Sequence, residues 1–64
     1  MAYSNVKVRE IIAEWINSER DRRIMERRLC DGIPLEKLAE EFQMSTRQIE
    51  RITKKLSIEI FSHY

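Results

Sequence analysis

The amino-acid sequence predicts a small all-α domain of four helices, in which the last two form a helix-turn-helix. Gly and Pro occur once each among 64 residues and 36% of the residues are charged, so loops are short and the turn residues that strands need are scarce. Apolar residues recur at the helical period rather than in strict alternation. The segment 34–55 also has the pattern of a short helix, a tight turn and a second helix with a basic exposed face.

Length and composition limit the classes to which this protein can belong. A chain of 64 residues forms one domain, 1–64, and buries only about 60% of its unfolded surface, so its stability margin is small. The single cysteine, Cys30, excludes an internal disulfide, favours a reducing compartment and is expected to act as a small apolar side chain. Because the sequence has no apolar run of membrane-spanning length and no secretory signal, we expect a cytoplasmic protein without a membrane partner.

Enzymatic chemistry finds no support in the sequence. No nucleophile lies beside a base, no Gly-rich loop could hold a phosphate, and no two acids are placed to share a concave surface. A lone His63 with one distant cysteine, Cys30, makes no metal site. We therefore expect neither an enzyme nor a cofactor.

The first helix is predicted over 4–17. Ser4 or Asn5 provides its N-cap, and apolar residues follow at the i, i+3, i+4 spacing of one buried face. That face comprises Val8, Ile11, Ile12, Trp15 and Ile16. Because Trp15 lies within this stripe, it is expected to anchor the core rather than to stack on a base.

The second helix is predicted over 19–31. Ser18 and Asp21 have the spacing of a capping box, and Gly32 stands where a left-handed residue ends a helix. The apolar stripe of this helix comprises Ile24, Met25 and Leu29. The stripe is narrow, and the remainder of the helix is rich in arginine.

The third and fourth helices are predicted over 34–42 and 45–62. Pro34 suits the first turn of the third helix, where its missing N–H is not needed, and Ser45 or Thr46 caps the fourth. The inward residues of the two helices are Leu35, Leu38, Ala39, Phe42, Ile49, Ile52, Leu56 and Ile60.

The segment 34–55 meets the packing requirements of a helix-turn-helix. A small residue, Ala39, lies where the second helix must cross the first at close range. Met44 places an apolar side chain inside the turn, Ser45 caps the second helix, and Ile49 packs beneath it one turn later. Each residue alone is common in helical proteins, but their joint spacing predicts the motif.

Charge changes sign twice between residues 20 and 55. Residues 20–28 hold five arginines and two acids, a balance of +3, and residues 47–55 hold four basic residues and one acid, again +3. Between them, residues 31–41 hold four acids and one lysine, a balance of −3. Since the net charge of the chain is only +1, this distribution predicts a directional electrostatic surface rather than a general polycation.

The second helix of the motif carries the predicted DNA-binding residues. They are Ser45, Thr46, Arg47, Gln48, Glu50, Arg51, Lys54 and Lys55. Arg47 can bind guanine through O6 and N7, and Gln48 can bind adenine if it points into the major groove. Arg51, Lys54 and Lys55 are expected to bind phosphates, which position a protein without specifying a sequence.

The arginines of the second helix have two interpretations. In the first, four of them bind phosphates beside the groove; these are Arg22, Arg23, Arg27 and Arg28. In the second, ion pairs at i, i+4 spacing keep part of this charge within the protein. Those pairs are Arg22 with Glu26 and Glu19 with Arg23.

About half of the chain, 21–55, resembles the helix-turn-helix of bacterial sigma factor region 4 and of related small phage or mobile-element regulators. The matching stretch includes ERRLCDGIPLEKLAEEFQMSTRQIERITKK. In that family, a helix bearing arginines leads through a Gly into L-E-E-I-A, then a turn, then a Ser that opens the recognition helix. The corresponding residues here are Gly32, Leu35, Glu36, Lys37, Leu38, Ala39, Met44, Ser45, Ile49 and Ile52. The resemblance implies DNA-facing positions at Thr46, Arg47, Glu50 and Arg51.

The chain departs from the family pattern in three ways. Gln43 occupies the turn where helix-turn-helix families often have Gly, so it must accept a strained backbone conformation. Ile33 and Pro34 stand where Thr or Ser often precedes the first helix. Nothing in the chain resembles the other promoter-binding and polymerase-binding regions of a full sigma factor, so a stand-alone DNA-binding regulator is expected.

The expected function is sequence-dependent binding of double-stranded DNA in transcriptional control. One small module rarely specifies a single genomic site, so a homodimer is expected to bind two half-sites about one helical turn apart. The C-terminal apolar residues would form the dimer surface, or they would pack on Trp15 and complete a monomer core. They are Leu56, Ile58, Ile60, Phe61 and Tyr64.

The alternative function belongs to another class. A protein-interaction adaptor would dock on RNA polymerase or another host protein without reading DNA. Its working surface would combine the apolar C-terminus with the acidic residues Glu36, Glu40 and Glu41. A third interpretation is a helical bundle whose basic faces are only solvated.

Overall fold

Four α-helices form the part of the chain that the structure describes. The computed structural model describes residues 4–64. The helices are α1 (Asn5–Trp15), α2 (Glu19–Leu29), α3 (Leu35–Phe42) and α4 (Thr46–Ser62). No strand occurs within these residues, so the predicted all-α class with four helices is confirmed. Residues 1–3 of the domain predicted over 1–64 lie outside the described residues.

Two of the helices organise the packing. α2 and α4 each contact all the other helices, whereas α1 and α3 contact both of them but not each other. α1 and α3 therefore pack separately against the α2–α4 pair, in a molecule measuring 28 × 24 × 16 Å. This arrangement leaves part of α4 open to solvent along its whole length.

The core receives apolar side chains from every helix. Its fully buried members are Val8, Ile12, Ile24, Met25, Leu38, Ile49 and Ile60. Leu29, Leu35, Phe42, Met44 and Ile52 are half-buried around them. Thr53 is the buried polar residue of α4, and its hydroxyl donates to the Glu50 carbonyl at 3.1 Å, so its burial leaves no unpaired group.

Trp15 is the exception among the predicted core residues. It is 45% exposed, so the expectation of a core anchor is wrong. α1 ends at Trp15, and Ile16 continues in an extended conformation that turns the chain. Ile16, only 3% exposed, is buried as predicted. The Trp15 indole stacks on the His63 ring at 3.8 Å between centroids, near the chain terminus.

Helix boundaries differ from the prediction by at most two residues. α1 ends at Trp15 rather than at residue 17, and α2 ends at Leu29 rather than at residue 31. Gly32 has the expected left-handed conformation, with φ +71°. Pro34 is the N-cap of α3, one position ahead of the helical first turn that its ring was predicted to enter. α4 continues without a break to Ser62.

A left-handed residue closes α3, as the turn required. Gln43 has φ 55° and ψ 46°, a conformation that costs a residue with a Cβ about 1–2 kcal/mol. We expect Gln43→Gly to raise the free energy of unfolding by roughly 0.5–1 kcal/mol, because Gly relieves this strain at a smaller entropic cost. Urea denaturation followed by circular dichroism measures the change.

Gly32→Ala is the reciprocal control for that prediction. A Cβ at Gly32 meets no atom within 4 Å, so the only penalty of the substitution is its positive φ. The variant should lose about 1 kcal/mol of stability. Shifts of the same sign in both variants would contradict the assignment of left-handed turns at these two positions.

Candidate nucleic-acid interface

α3 and α4 are joined by a three-residue turn, residues 43–45. Ala39, 6% exposed, lies on the side of α3 that enters the core, and Ile49 of α4 is fully buried. Met44 is half-buried in the turn, and its N–H donates to the Ala39 carbonyl at 2.9 Å. The small residue, the inward turn residue and the buried isoleucine therefore occupy the environments that their spacing predicted.

A reciprocal capping box fixes the start of α4. The Ser45 hydroxyl accepts from the Gln48 N–H at 3.1 Å, and the Gln48 side-chain oxygen accepts from the Ser45 N–H at 3.0 Å. Ser45, rather than Thr46, is thus the N-cap. Gln48 was predicted to bind adenine if it pointed into the groove. Its amide oxygen is instead held by the cap, so its role in the structure is to stabilise the helix start.

We expect Ser45→Ala to lower the free energy of unfolding by about 1 kcal/mol, because it leaves a helix N–H without its acceptor. Ser4→Ala is a matched control, since Ser4 has N-cap geometry at α1 but no side-chain cap bond. Its effect should be close to zero. The two variants are compared by urea denaturation, and equal losses would show that the Ser45 side chain contributes nothing as a cap.

The exposed surface of α4 carries the predicted DNA-facing side chains. Five exposed residues of this helix are called the outer face of α4 below. They are Thr46, Arg47, Glu50, Arg51 and Lys54. At 100° per residue, Arg47, Arg51 and Lys54 point away from the buried stripe of the same helix, and Thr46 and Glu50 lie at the edge between these cations and that stripe. The stripe comprises Ile49, Thr53, Leu56 and Ile60. Lys55 is exposed on the flank of this face.

The cations of this surface have no partner within the described chain. Among residues 4–64, the ion pairs involve only Arg20 and Arg27 as cations. The side chains of Arg47, Arg51, Lys54 and Lys55 also form none of the hydrogen bonds between these residues, which include only the Ser45, Gln48 and Thr53 side chains in this part of α4. Their charges are therefore directed to solvent.

Arg22 of α2 has a different environment. Its guanidinium donates to the Ile16 carbonyl and, at 3.1 Å, to the Ala13 carbonyl. These carbonyls lie at the end of α1, which has no basic residue in its last turn. Arg22 thus caps α1, a role that our sequence reasoning missed. Two features of the sequence could have indicated this role. The end of α1 has no nearby side chain that could donate to its last carbonyls, and an arginine follows early in the next helix.

Arg27 links α2 to α3. Its guanidinium binds both carboxylate oxygens of Glu41, at 2.9 and 3.1 Å, and Asp31 at 3.2 Å. The hydrogen bond with Glu41, and then that with Asp31, raises the pKa of Arg27. Because the pair is substantially exposed, it orients the two helices more than it stabilises them.

The predicted partners of the α2 arginines are thus corrected. Neither the Arg22–Glu26 pair nor the Glu19–Arg23 pair is present among residues 4–64. Arg28 donates to the Ile33 carbonyl at 3.0 Å. Of the four arginines predicted to bind phosphates, only Arg23 is exposed without an internal bond in this part of the chain.

The C-terminal apolar residues have different environments. Leu56 and Ile60 belong to the core. Tyr64 packs back on the start of the chain, where its hydroxyl accepts from the Ser4 N–H at 2.7 Å and its ring lies 4.5 Å from the Lys7 ammonium. Ile58 is 69% exposed and lies on the side of α4 opposite the core.

Other surfaces of the described chain show no built chemical site. A shallow groove of about 510 Å³ is lined by Arg27, Ile33, Pro34, Lys37, Glu40 and Glu41, but Arg27 and Glu41 in it are bound to each other. Cys30 is half-buried, and this burial raises the pKa of its thiol. Within residues 4–64, no three His, Cys, Asp or Glu side chains are grouped to hold a metal, and no helix is long and apolar enough to cross a membrane.

Comparison with known proteins gives no match: no family model, no curated protein and no solved structure is significantly similar to this chain. The resemblance to sigma factor region 4 therefore stays a prediction from the residues of 21–55. The geometry of α3, the turn and α4 is the remaining guide to function.

Proposed function

We propose that the chain binds double-stranded DNA in transcriptional control, with α3 and α4 acting as a helix-turn-helix and α4 entering the major groove. The observation that carries this proposal is the outer face of α4. Its cations are exposed and bonded to no other described residue, whereas Arg22, Arg27 and Arg28 of α2 are bound within the protein. Unpaired cations on one face of a firmly capped helix suit a polyanionic partner.

The position of each side chain along α4 suggests its role. Thr46, Arg47 and Glu50 lie near the N-terminus of the helix, the part of a recognition helix that meets base edges. Arg47 is long enough to bind guanine O6 and N7 together. Arg51, Lys54 and Lys55 follow within two turns and would bind phosphates, with Arg23 of α2 as a further candidate.

The adaptor alternative also remains a prediction. Of its acidic surface, Glu41 is bound to Arg27, which leaves Glu36 and Glu40 as exposed carboxylates on α3. If the chain is an adaptor that docks through these residues, we expect no strongly salt-dependent binding to DNA. A homodimer on two half-sites likewise stays a prediction, and sedimentation with and without duplex DNA would measure it.

The test is a titration of a random-sequence fluorescent duplex pool with the full chain across a salt series, measured by anisotropy. If Arg51, Lys54, Lys55 and Arg23 neutralise phosphates, log affinity should fall with log salt at a slope of roughly −3 to −4. Retention on heparin with the same salt dependence would support this result. Absence of binding down to low salt would contradict the proposal and favour a protein partner.

A further inference from the structure

The outer face of α4 includes one acidic side chain beside its cations. Glu50 follows Arg47 by three residues and precedes Lys54 by four, spacings that place side chains together on a helix. Either cation is therefore within reach of an ion pair. Yet no ion pair or side-chain hydrogen bond to the Glu50 carboxylate occurs among residues 4–64, and the residue is exposed.

A carboxylate in this place acts against unspecific DNA binding. Phosphates repel the Glu50 carboxylate. Glu50 therefore lowers the affinity of the outer face for any duplex that offers no hydrogen-bond donor to this carboxylate. A hydrogen-bond donor on a base edge can compensate this repulsion. In the major groove, the donors are the N4 amino group of cytosine and the N6 amino group of adenine.

Cytosine is the better partner of the two. The adenine N6 group lies beside the adenine N7 acceptor and is paired with thymine O4, and both acceptors repel a carboxylate. The cytosine N4 group has an acceptor, guanine O6, on its paired side only. Gln48 is another residue of this helix that was predicted to bind a base, and its amide oxygen accepts a hydrogen bond in the cap with Ser45.

We propose that Glu50 is the specificity-determining residue of α4 and accepts a hydrogen bond from the N4 amino group of a cytosine, next to the guanine bound by Arg47. This inference rests on the proposed function. Three residues of helix rise about 4.5 Å and successive base pairs about 3.4 Å, so these two side chains reach neighbouring base pairs. The preferred site therefore contains a step of two G·C pairs.

The experiment selects sites from a random duplex library with the wild-type chain, Glu50→Gln and Glu50→Ala. The wild type should enrich cytosine at one position, with discrimination of about tenfold or more. Glu50→Gln should change that preference to adenine, because a glutamine amide binds adenine N6 and N7 together. Glu50→Ala should lose the preference and bind the random pool several-fold more tightly.

Glu14→Gln is the matched control, since Glu14 is also an exposed carboxylate without an ion pair but lies on α1. It removes the same charge and should leave the cytosine preference unchanged. Circular dichroism checks that every variant is helical, which is expected because Gln and Ala both favour helices.

The outcomes separate this inference from the proposed function. If the wild type selects a site and both Glu50 variants keep its preference at every position, the role of Glu50 is overturned while DNA binding stands. A uniform loss of affinity in Glu50→Ala, without a change in preference, would overturn it as well. If the wild type binds no duplex even at low salt, the proposed function and this inference both fail.

Discussion

Ile49→Ala is expected to lower the free energy of unfolding by about 2–5 kcal/mol, which would bring the chain close to unfolding at room temperature. Ile49 is fully buried where α4 enters the core, and truncating such a residue removes apolar burial and leaves a cavity. A domain of this size rarely has more than about 3–5 kcal/mol of stability. Thermal denaturation followed by circular dichroism should show a decrease in Tm of roughly 10 °C or more, or no cooperative transition.

Ile58→Ala provides a control on the same helix. Ile58 is 69% exposed, so the same chemical change should alter stability by no more than about 0.5 kcal/mol. The comparison also tests the orientation of α4, because the outer face and the buried stripe exchange places if the helix is rotated by half a turn. Equal losses in the two variants would mean that the assignment of the outer face is wrong.

The geometry of α3 and α4 could be predicted because its signals are local. Ala39 on α3, and Ile49 and Ile60 on α4, each follow the helical spacing of the apolar residues that form the buried face of their helix. Ser45 and Gly32 stand at positions where a side-chain acceptor or a positive φ is needed. In each case, the residue that determines the structure is within a few positions of the feature it determines.

The errors arose where distant residues decide the structure. No Gly, Pro or basic residue marks the end of α1, and the donor to its last carbonyls, Arg22, lies on α2. Trp15, predicted to be buried, is exposed and stacks on His63 at the other end of the chain. Sequence spacing cannot show such contacts, because they depend on how whole helices pack.

The same limit applied to the charges of the candidate site. Residues 20–28 of α2 and residues 47–55 of α4 have the same local charge balance of +3. The packing of α2 on α3 brings Arg27 within 2.9 Å of Glu41, whereas the cations of α4 form no ion pair among residues 4–64. The two basic segments therefore differ in how far their charges are paired, which charge counting alone could not reveal.

If α4 enters the major groove as proposed, the double variant Arg47→Ala, Arg51→Ala should lose at least about tenfold of its affinity for duplex DNA, since it would remove one base contact and one phosphate contact. The slope of log affinity against log salt concentration should become less negative by roughly one. Stability should change by less than about 0.5 kcal/mol, because both side chains are exposed and form no bond with another described residue. Anisotropy across the salt series measures the first two effects and urea denaturation the third.

The double variant Arg27→Ala, Arg28→Ala removes the same charge from α2 and gives the opposite pattern. Both arginines are bound within the protein, so Tm should fall while the salt slope of DNA binding stays near that of the wild type. Each variant takes the net charge from +1 to −1; a difference between them cannot come from net charge. If both variants weaken DNA binding equally, attraction to the whole chain explains the binding, and α4 does not read the groove.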